Sequence, residues 1–266
     1  MLDCHNPNKD EGVRVFIGSD TRAFKRAEIA LEYSIKKYAS GPVKIEWMDF
    51  YRGDEKWQGW DRSAWYTPFT CYRFGIPEYS GFEGRSIYVD VDQIFLDDVY
   101  KLINLPIPDD KALLSLSWIR TDVMVLDNAK FKSFDWWPSI EDLKTSRTKA
   151  KTLCRLIGGS TDVGAYKPGT NIVGKLPPEW CCNDGHGYNK DKTCLLHYTE
   201  MKTQPWRPYP KGWKMWKFDY PDHPNQEATR LWWEMYAEAL EDKFDCHYVV
   251  DEKLSNQPID YQVKYK

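Results

Sequence analysis

The chain lacks an excess of charge of either sign: 37 lysines and arginines stand against 40 aspartates and glutamates in 266 residues, a net charge of −3. No basic stripe is present, so general nucleic-acid binding is excluded and no nucleic-acid partner is expected. Long apolar runs are equally scarce. Ala112 to Trp118 is among the longest, far short of the roughly 20 residues that cross a bilayer. Met1 to Glu11 is polar and charged, unlike a secretory leader. No transmembrane segment is therefore expected. Cysteine is sparse and irregularly spaced: Cys4, Cys71, Cys154, Cys181, Cys182, Cys194 and Cys246 are odd in number, which fits a reduced, cytoplasmic compartment better than a disulfide framework. Two motifs are missing as well. Without Gly-x-x-x-x-Gly-Lys-Ser/Thr or Gly-x-Ser-x-Gly, neither a P-loop nor an α/β-hydrolase is supported. No internal repeat or low-complexity tract appears.

Aromatic residues, by contrast, are abundant, with 13 Trp, 17 Tyr and 11 Phe. Most belong to a core, although Trp and Tyr also stack on sugars and bases. The central stretch is Arg85-Ser86-Ile87-Tyr88-Val89-Asp90-Val91-Asp92-Gln93-Ile94-Phe95-Leu96. Its apolar, β-branched composition predicts one strand buried on both faces. Alternation along a strand then points Asp90 and Asp92 the same way. Two adjacent buried carboxylates repel unless a cation neutralises them, and hard oxygens at this spacing suit Mn²⁺ or Mg²⁺ together with water and phosphate. The bland alternative is a strand end with two solvated aspartates.

Around that stretch the pattern is α/β. Residues 13 to 18 predict a first buried strand, and Ser19, Asp20 and Thr21 offer caps for a helix from about Arg22 to Tyr38. Gly41-Pro42 ends it, and Val43 to Phe50 predicts a second strand. Strand, helix, strand at these lengths is a βαβ unit with a largely parallel sheet, in which ligands sit beyond the carboxyl ends of strands. Gly18, Ser19 and Asp20 lie there. Residues 51 to 66 read as an aromatic loop, either pinned by Trp57, Trp60 and Trp65 or acting as a substrate flap. Thr67 to Phe74 predicts a short helix carrying Arg73, and Asp97 to Asn104 a second. Ala112 to Trp118 and Val123 to Leu126 predict strands, and a helix opens at Ser139 and runs to about Ile157. A strand over Thr193 to Thr199 includes His197, and a last helix spans about Pro224 to Leu240. The simplest organisation is one domain over 1–208 with an extension, 209–266, packed on it.

His197 could supply the third ligand that the aspartates lack, since a neutral imidazole suits a Mn²⁺-type site. Lys202 would neutralise a diphosphate leaving group. A rival zinc cluster of Cys181, Cys182, His186, Cys194 and His197 does not follow the spacing of a finger or ribbon.

In order, Gly18-Ser19-Asp20, Tyr72-Arg73-Phe74-Gly75-Ile76-Pro77, Ile87 to Asp92, and His197 to Pro205-Trp206 resemble the nucleotide-sugar glycosyltransferases of the GT-A fold. Within these the chain resembles glycosyltransferase family 8 and its bacterial and viral relatives, over about residues 13 to 206. The resemblance implies a Rossmann-like, mainly parallel mixed sheet flanked by helices. It implies Mn²⁺ (or Mg²⁺) on Asp90, Asp92 and His197, a nucleoside held near Gly18, Ser19 and Asp20, and Arg73 near the donor sugar. The donor would be a nucleotide sugar, with uracil as base, the acceptor a glycan or other hydroxyl, and transfer would proceed with retention. Three departures stand out. Glu200 replaces the usual glycine, one extra residue precedes Pro205-Trp206, and Gln204 stands where lysine is usual, so that Lys202 takes the phosphate contact. For the acidic or amide residue beneath the reacting sugar the candidates are Asp162 and the region of Asn171. Two other classes compete: a phosphatase of the haloacid dehalogenase type, whose Asp-x-Asp falls near the chain's start, and a non-catalytic carbohydrate-binding protein.

Overall fold

A computed structural model describes residues 12–62, 65, 67–117, 120–145, 171–211, 219–242 and 244. The first unit forms where the sequence pattern puts it. Strand β1 (Val13–Gly18) runs parallel to β2 (Val43–Met48), joined by helix α1 (Thr21–Tyr38). The helix buries Phe24, Ala27, Leu31 and Ile35, one face of a 3.6-residue period. Asp20 caps it by accepting the Arg22 amide at 3.2 Å.

Strand β3 (Arg85–Asp90) lies parallel to β1 on its other side, pairing Gly18 with Asp90. Beyond it the sheet turns mixed. Strand β6 (Val123–Asp127) is antiparallel to β3, β5 (Leu113–Ser115) is antiparallel to β6, and β7 (Val173–Lys175) is parallel to β5. The order is β2-β1-β3-β6-β5-β7. A second, three-stranded sheet is ordered β4 (Gln93–Phe95), β9 (Leu195–His197), β8 (Cys182–Asn183). Between the strands lie short helices α2 (Ile76–Tyr79), α3 (Val99–Ile103), α4 (Asn128–Phe131) and α5 (Ile140–Thr145), and α6 (Gln226–Glu241) follows. The part of the expected Ser139–Ile157 helix beyond Thr145 lies outside the described residues.

One expectation is corrected here. Residues 85 to 96 are two strands, because the chain bends at Val91 and Asp92 and passes from the large sheet to the small one. Buried apolar side chains on both segments make the pair read as one continuous run, while the change of sheet lies in tertiary pairing. Asp90 therefore ends a strand while Asp92 lies in the bend, and strand alternation does not set their directions. The three tryptophans of the 51–66 loop are core residues: Trp57 and Trp60 pack on Tyr72 with ring centroids 5.3 and 5.2 Å away, and Trp65 on Phe74 at 5.9 Å. Their burial holds the loop down and leaves no exposed indole for a flap.

Helix α6 packs on α1. Tyr33 donates to Asp242 at 2.7 Å, Lys37 pairs with Glu238, and Trp232 is buried against Trp206 at 5.4 Å. Among the described residues no helix is long and apolar enough to cross a membrane.

Candidate active site at the strand ends

The carboxyl ends of β1 and β3 meet the amino end of β6 at one point. The Val91 amide donates to the Gly18 carbonyl and the Asp90 amide to the Asp122 carbonyl, both at 3.1 Å. Gly18 is required there by close approach, since an added Cβ would fall 2.6 Å from the Tyr88 hydroxyl and 2.8 Å from Phe69. Ser19 and Asp20 are buried just beyond it, and their side chains already serve the start of α1. The Ser19 hydroxyl donates to Glu28, Thr21 donates to the same carboxylate at 2.7 Å, and Asp20 caps the helix and pairs with Arg22 at 3.4 Å. What this corner offers a ligand is chiefly its backbone.

Arg73 sits in a 3₁₀ turn, Tyr72–Gly75, and is buried. Its guanidinium donates to Asp90 Oδ1 at 2.8 Å, to the Thr121 carbonyl at 2.6 Å and to the Thr70 carbonyl at 3.1 Å. The Tyr88 hydroxyl donates to the same Asp90 oxygen. Burial drives the Asp90 carboxyl up, Arg73 opposes this and Asp92 adds to it, leaving it near 6.

Across the bend, Gln93 lies opposite His197 in the β4–β9 register, and the Tyr198 amide donates to the Asp92 carbonyl at 2.9 Å. His197 Nε2 is 3.2 Å from Asp92 Oδ1, and His197 Nδ1 is 2.9 Å from Asp122 Oδ2. Burial alone would lower the imidazole, but the flanking Asp92, Asp122 and Cys181 hold it well above the ordinary histidine range. Asp122 is buried too, yet His197 and Arg120 keep it far below the usual carboxylate range. Arg120 contacts both Asp122 oxygens, at 3.0 and 3.1 Å, and Cys181 Sγ lies 3.0 Å from Oδ2.

The donor set suits a small divalent ion. Asp92 Oδ1 is buried without completing a hydrogen bond. Adjacent ligands of an octahedral ion with bonds of about 2.1 Å stand about 3 Å apart, close to the observed Asp92–His197 separation. Three ligand atoms within 4.8 Å of one another are found, among the described residues, in a different grouping, Asp122, Cys181 and His197, and not in Asp90, Asp92 and His197. There the Arg120 guanidinium already supplies the positive charge, at 3.5 Å from Cys181 and nearer to Asp122. The five residues of the rival zinc cluster do not gather as a set: among the described residues Cys182, His186 and Cys194 join no metal-binding group, and they line a neighbouring cavity of about 740 Å³ with Arg120 and Asn183.

The residues after His197 are arranged differently from what their order suggests. Gln204, fully buried, donates to Asp92 Oδ2 at 3.1 Å and to the Tyr198 carbonyl at 2.6 Å, and accepts from Tyr209. Lys202 lies half-buried in the turn that follows β9, its amide donating to Glu200 at 3.2 Å. Asp162 lies outside the described residues. Two contributors had escaped the sequence reading, Asp122 and Arg120, and Gln204 appeared in it only as a departure from the usual lysine, without its contact to Asp92. For Asp122 a signal existed, since like Asp90 it adjoins an apolar run, in this case at the run's start.

No family model matches the chain. Protein CDI of Arabidopsis thaliana is 27% identical over 222 residues, which cover 76% of this chain and 83% of the relative. Among solved structures, the glycosyltransferase GlyE of Streptococcus pneumoniae TIGR4 superposes with a TM-score of 0.52 at 16% identity, covering 95% of this chain and 67% of that one. The galactosyltransferase LgtC, in complex with donor and acceptor sugar analogs, gives 0.52 at 12% identity over 85% and 96%. The bifunctional glycosyltransferase WbbM gives 0.50 at 15% identity, and this chain spans 48% of its length. With its mixed sheet flanked by helices and these structural neighbours, the chain has the fold of the GT-A glycosyltransferases.

Proposed function

We propose that the chain is a metal-dependent glycosyltransferase that moves a sugar from a nucleotide-diphosphate sugar, a UDP-sugar, onto a hydroxyl of a glycan or other acceptor, with retention at the anomeric carbon. The observation that carries this reading is the 3.2 Å approach of His197 to Asp92 beside the ends of β1 and β3, in a GT-A fold. Asp90, Asp92 and His197 would hold Mn²⁺ (or Mg²⁺). A divalent ion bound there supplies Lewis-acid stabilisation of the departing diphosphate.

The chain's own residues do the rest. The backbone at Gly18 to Asp20 receives the nucleoside, since its side chains are engaged with α1. Arg73 fixes one oxygen of Asp90 and so orients the carboxylate. Lys202 brings a second positive charge to the leaving group. The acceptor takes the cavity beside Arg120 and Asn183. A haloacid dehalogenase-like phosphatase fits less well, because its acidic motif belongs near the chain's start and here follows the third strand. A carbohydrate-binding protein would have no use for a buried aspartate and histidine held at ligand spacing.

The test is a screen of nucleotide sugars for Mn²⁺-dependent release of nucleoside diphosphate. The expected result is slow hydrolysis of a UDP-sugar, abolished in a folded Asp92→Asn protein, which loses one ligand charge. Near-normal Mn²⁺-dependent turnover in that variant would refute the site.

A further inference from the structure

Resting on the metal site just proposed, we infer that Asp122 is a positioning residue that aims His197 at the metal. Its placement argues for this role. Residue 122 is tied to both halves of the site by its backbone: its carbonyl accepts the Asp90 amide at 3.1 Å and the Gln93 side chain at 2.9 Å. Its side chain faces His197 Nδ1 at 2.9 Å, on the opposite edge of the ring from the Nε2 that approaches Asp92. A carboxylate on Nδ1 keeps the proton on that nitrogen and directs the lone pair of Nε2 outward, and such partners of ligating histidines set ring orientation and basicity. Asp122 is itself held, by Arg120 at both oxygens and by the Cys181 thiol. Arg120, Asp122, His197, Asp92 and Gln204 thus form one connected row through the site.

Arg120 also argues against the competing assignment, in which Asp122, Cys181 and His197 bind a thiophilic cation directly. A guanidinium in contact with both the carboxylate and the sulfur opposes a second cation in the same place.

The experiment is a titration of the full-length protein with Mn²⁺ alone, read by the electron paramagnetic resonance of the free ion, so that no turnover is needed. Asp122→Asn is expected to weaken Mn²⁺ binding about 10- to 100-fold, and to have no further effect in a His197→Ala background, because it acts through that ring. Cys181→Ser, whose hydroxyl still donates to Asp122, is expected to leave the affinity unchanged. An equal loss from Asp122→Asn with and without His197 would overturn the role, as would a loss in Cys181→Ser, which would make the thiol a ligand. Absence of Mn²⁺ binding by the wild type would remove the metal reading and this role with it. Unchanged affinity in Asp122→Asn, with the wild type binding normally, would remove this role alone. If Asp122→Asn does not fold, Arg120→Gln, which unpins the same carboxylate, carries the test: weakened binding supports the role and unchanged binding overturns it.

Discussion

Arg73 meets four partners that no other side chain could serve together. Its fork reaches two backbone carbonyls, the Thr121 hydroxyl and Asp90, and its plane lies 4.5 Å over the Tyr88 ring. A lysine has one point charge and no plane, so Arg73→Lys is not a conservative change. Removing the group leaves the buried Thr121 carbonyl and the part-buried Thr70 carbonyl without this donor, and Asp90 with Tyr88 alone. Arg73→Ala should lower stability by about 2 kcal/mol or more, and Arg73→Lys by an intermediate amount, read by urea denaturation. A loss below about 0.5 kcal/mol in Arg73→Ala, the range of ordinary surface changes, would show that these contacts contribute nothing net. Residues of this kind differ in how far sequence reveals them. Asp90 and Asp92 are conspicuous because carboxylates interrupt an apolar run, and His197 because it ends one. Gln204 carries no such mark, and Asp122 only the weaker one of preceding an apolar run. Their importance comes from antiparallel pairing and a turn that deliver them to the same point from 30 and 112 positions away.

At the scale of elements, the join of β1, α1 and β2 is made by buried acids. Asp49, at the end of β2, accepts the Thr21 amide at 2.6 Å and the Tyr51 amide at 2.7 Å, and Glu28 on α1 gathers Ser19, Thr21 and Arg52. Burial raises the Asp49 carboxyl well above its ordinary value, with Glu28 and Asp20 adding to it. An acid raised in the folded state binds its proton more tightly there than in the unfolded chain. Its contribution is therefore most favourable at low pH and is lost as pH rises from the ordinary carboxylate value through the raised one. Wild type should lose stability relative to Asp49→Asn between pH 5 and pH 8, as measured by thermal unfolding of both proteins. A difference between them that does not vary with pH would show that Asp49 is not raised. The β1–α1–β2 unit itself was legible: helical spacing of Phe24, Ala27, Leu31 and Ile35, punctuated by Ser19-Asp20 and Gly41-Pro42, marks it. The break at Val91-Asp92 was not, because burial makes both sides of a sheet-to-sheet crossing equally apolar.

Taken as a whole, the molecule is closed by α6, which covers α1 and the segment after β9. Tyr198 donates to the Ala228 carbonyl at 2.7 Å, and Trp206 lies among Phe24, Tyr198 and Trp232. These shared aromatics couple the helix to the sheet that carries His197. The protein should unfold in one transition, and Trp232→Ala should lower its stability by about 3–5 kcal/mol without splitting that transition. Two separate transitions by calorimetry would instead make the segment from 209 onward an independent unit. The bend at Val91-Asp92 also bears on how the protein is made. Asp90 finds its arginine 17 positions earlier in the chain, whereas the glutamine that holds Asp92 comes 112 positions later. A ribosome adding roughly 5–20 residues per second delivers that later segment on the order of ten seconds after Asp92. One aspartate is thus neutralised as it emerges, while the other waits, bare, for the second half of the chain to be synthesised.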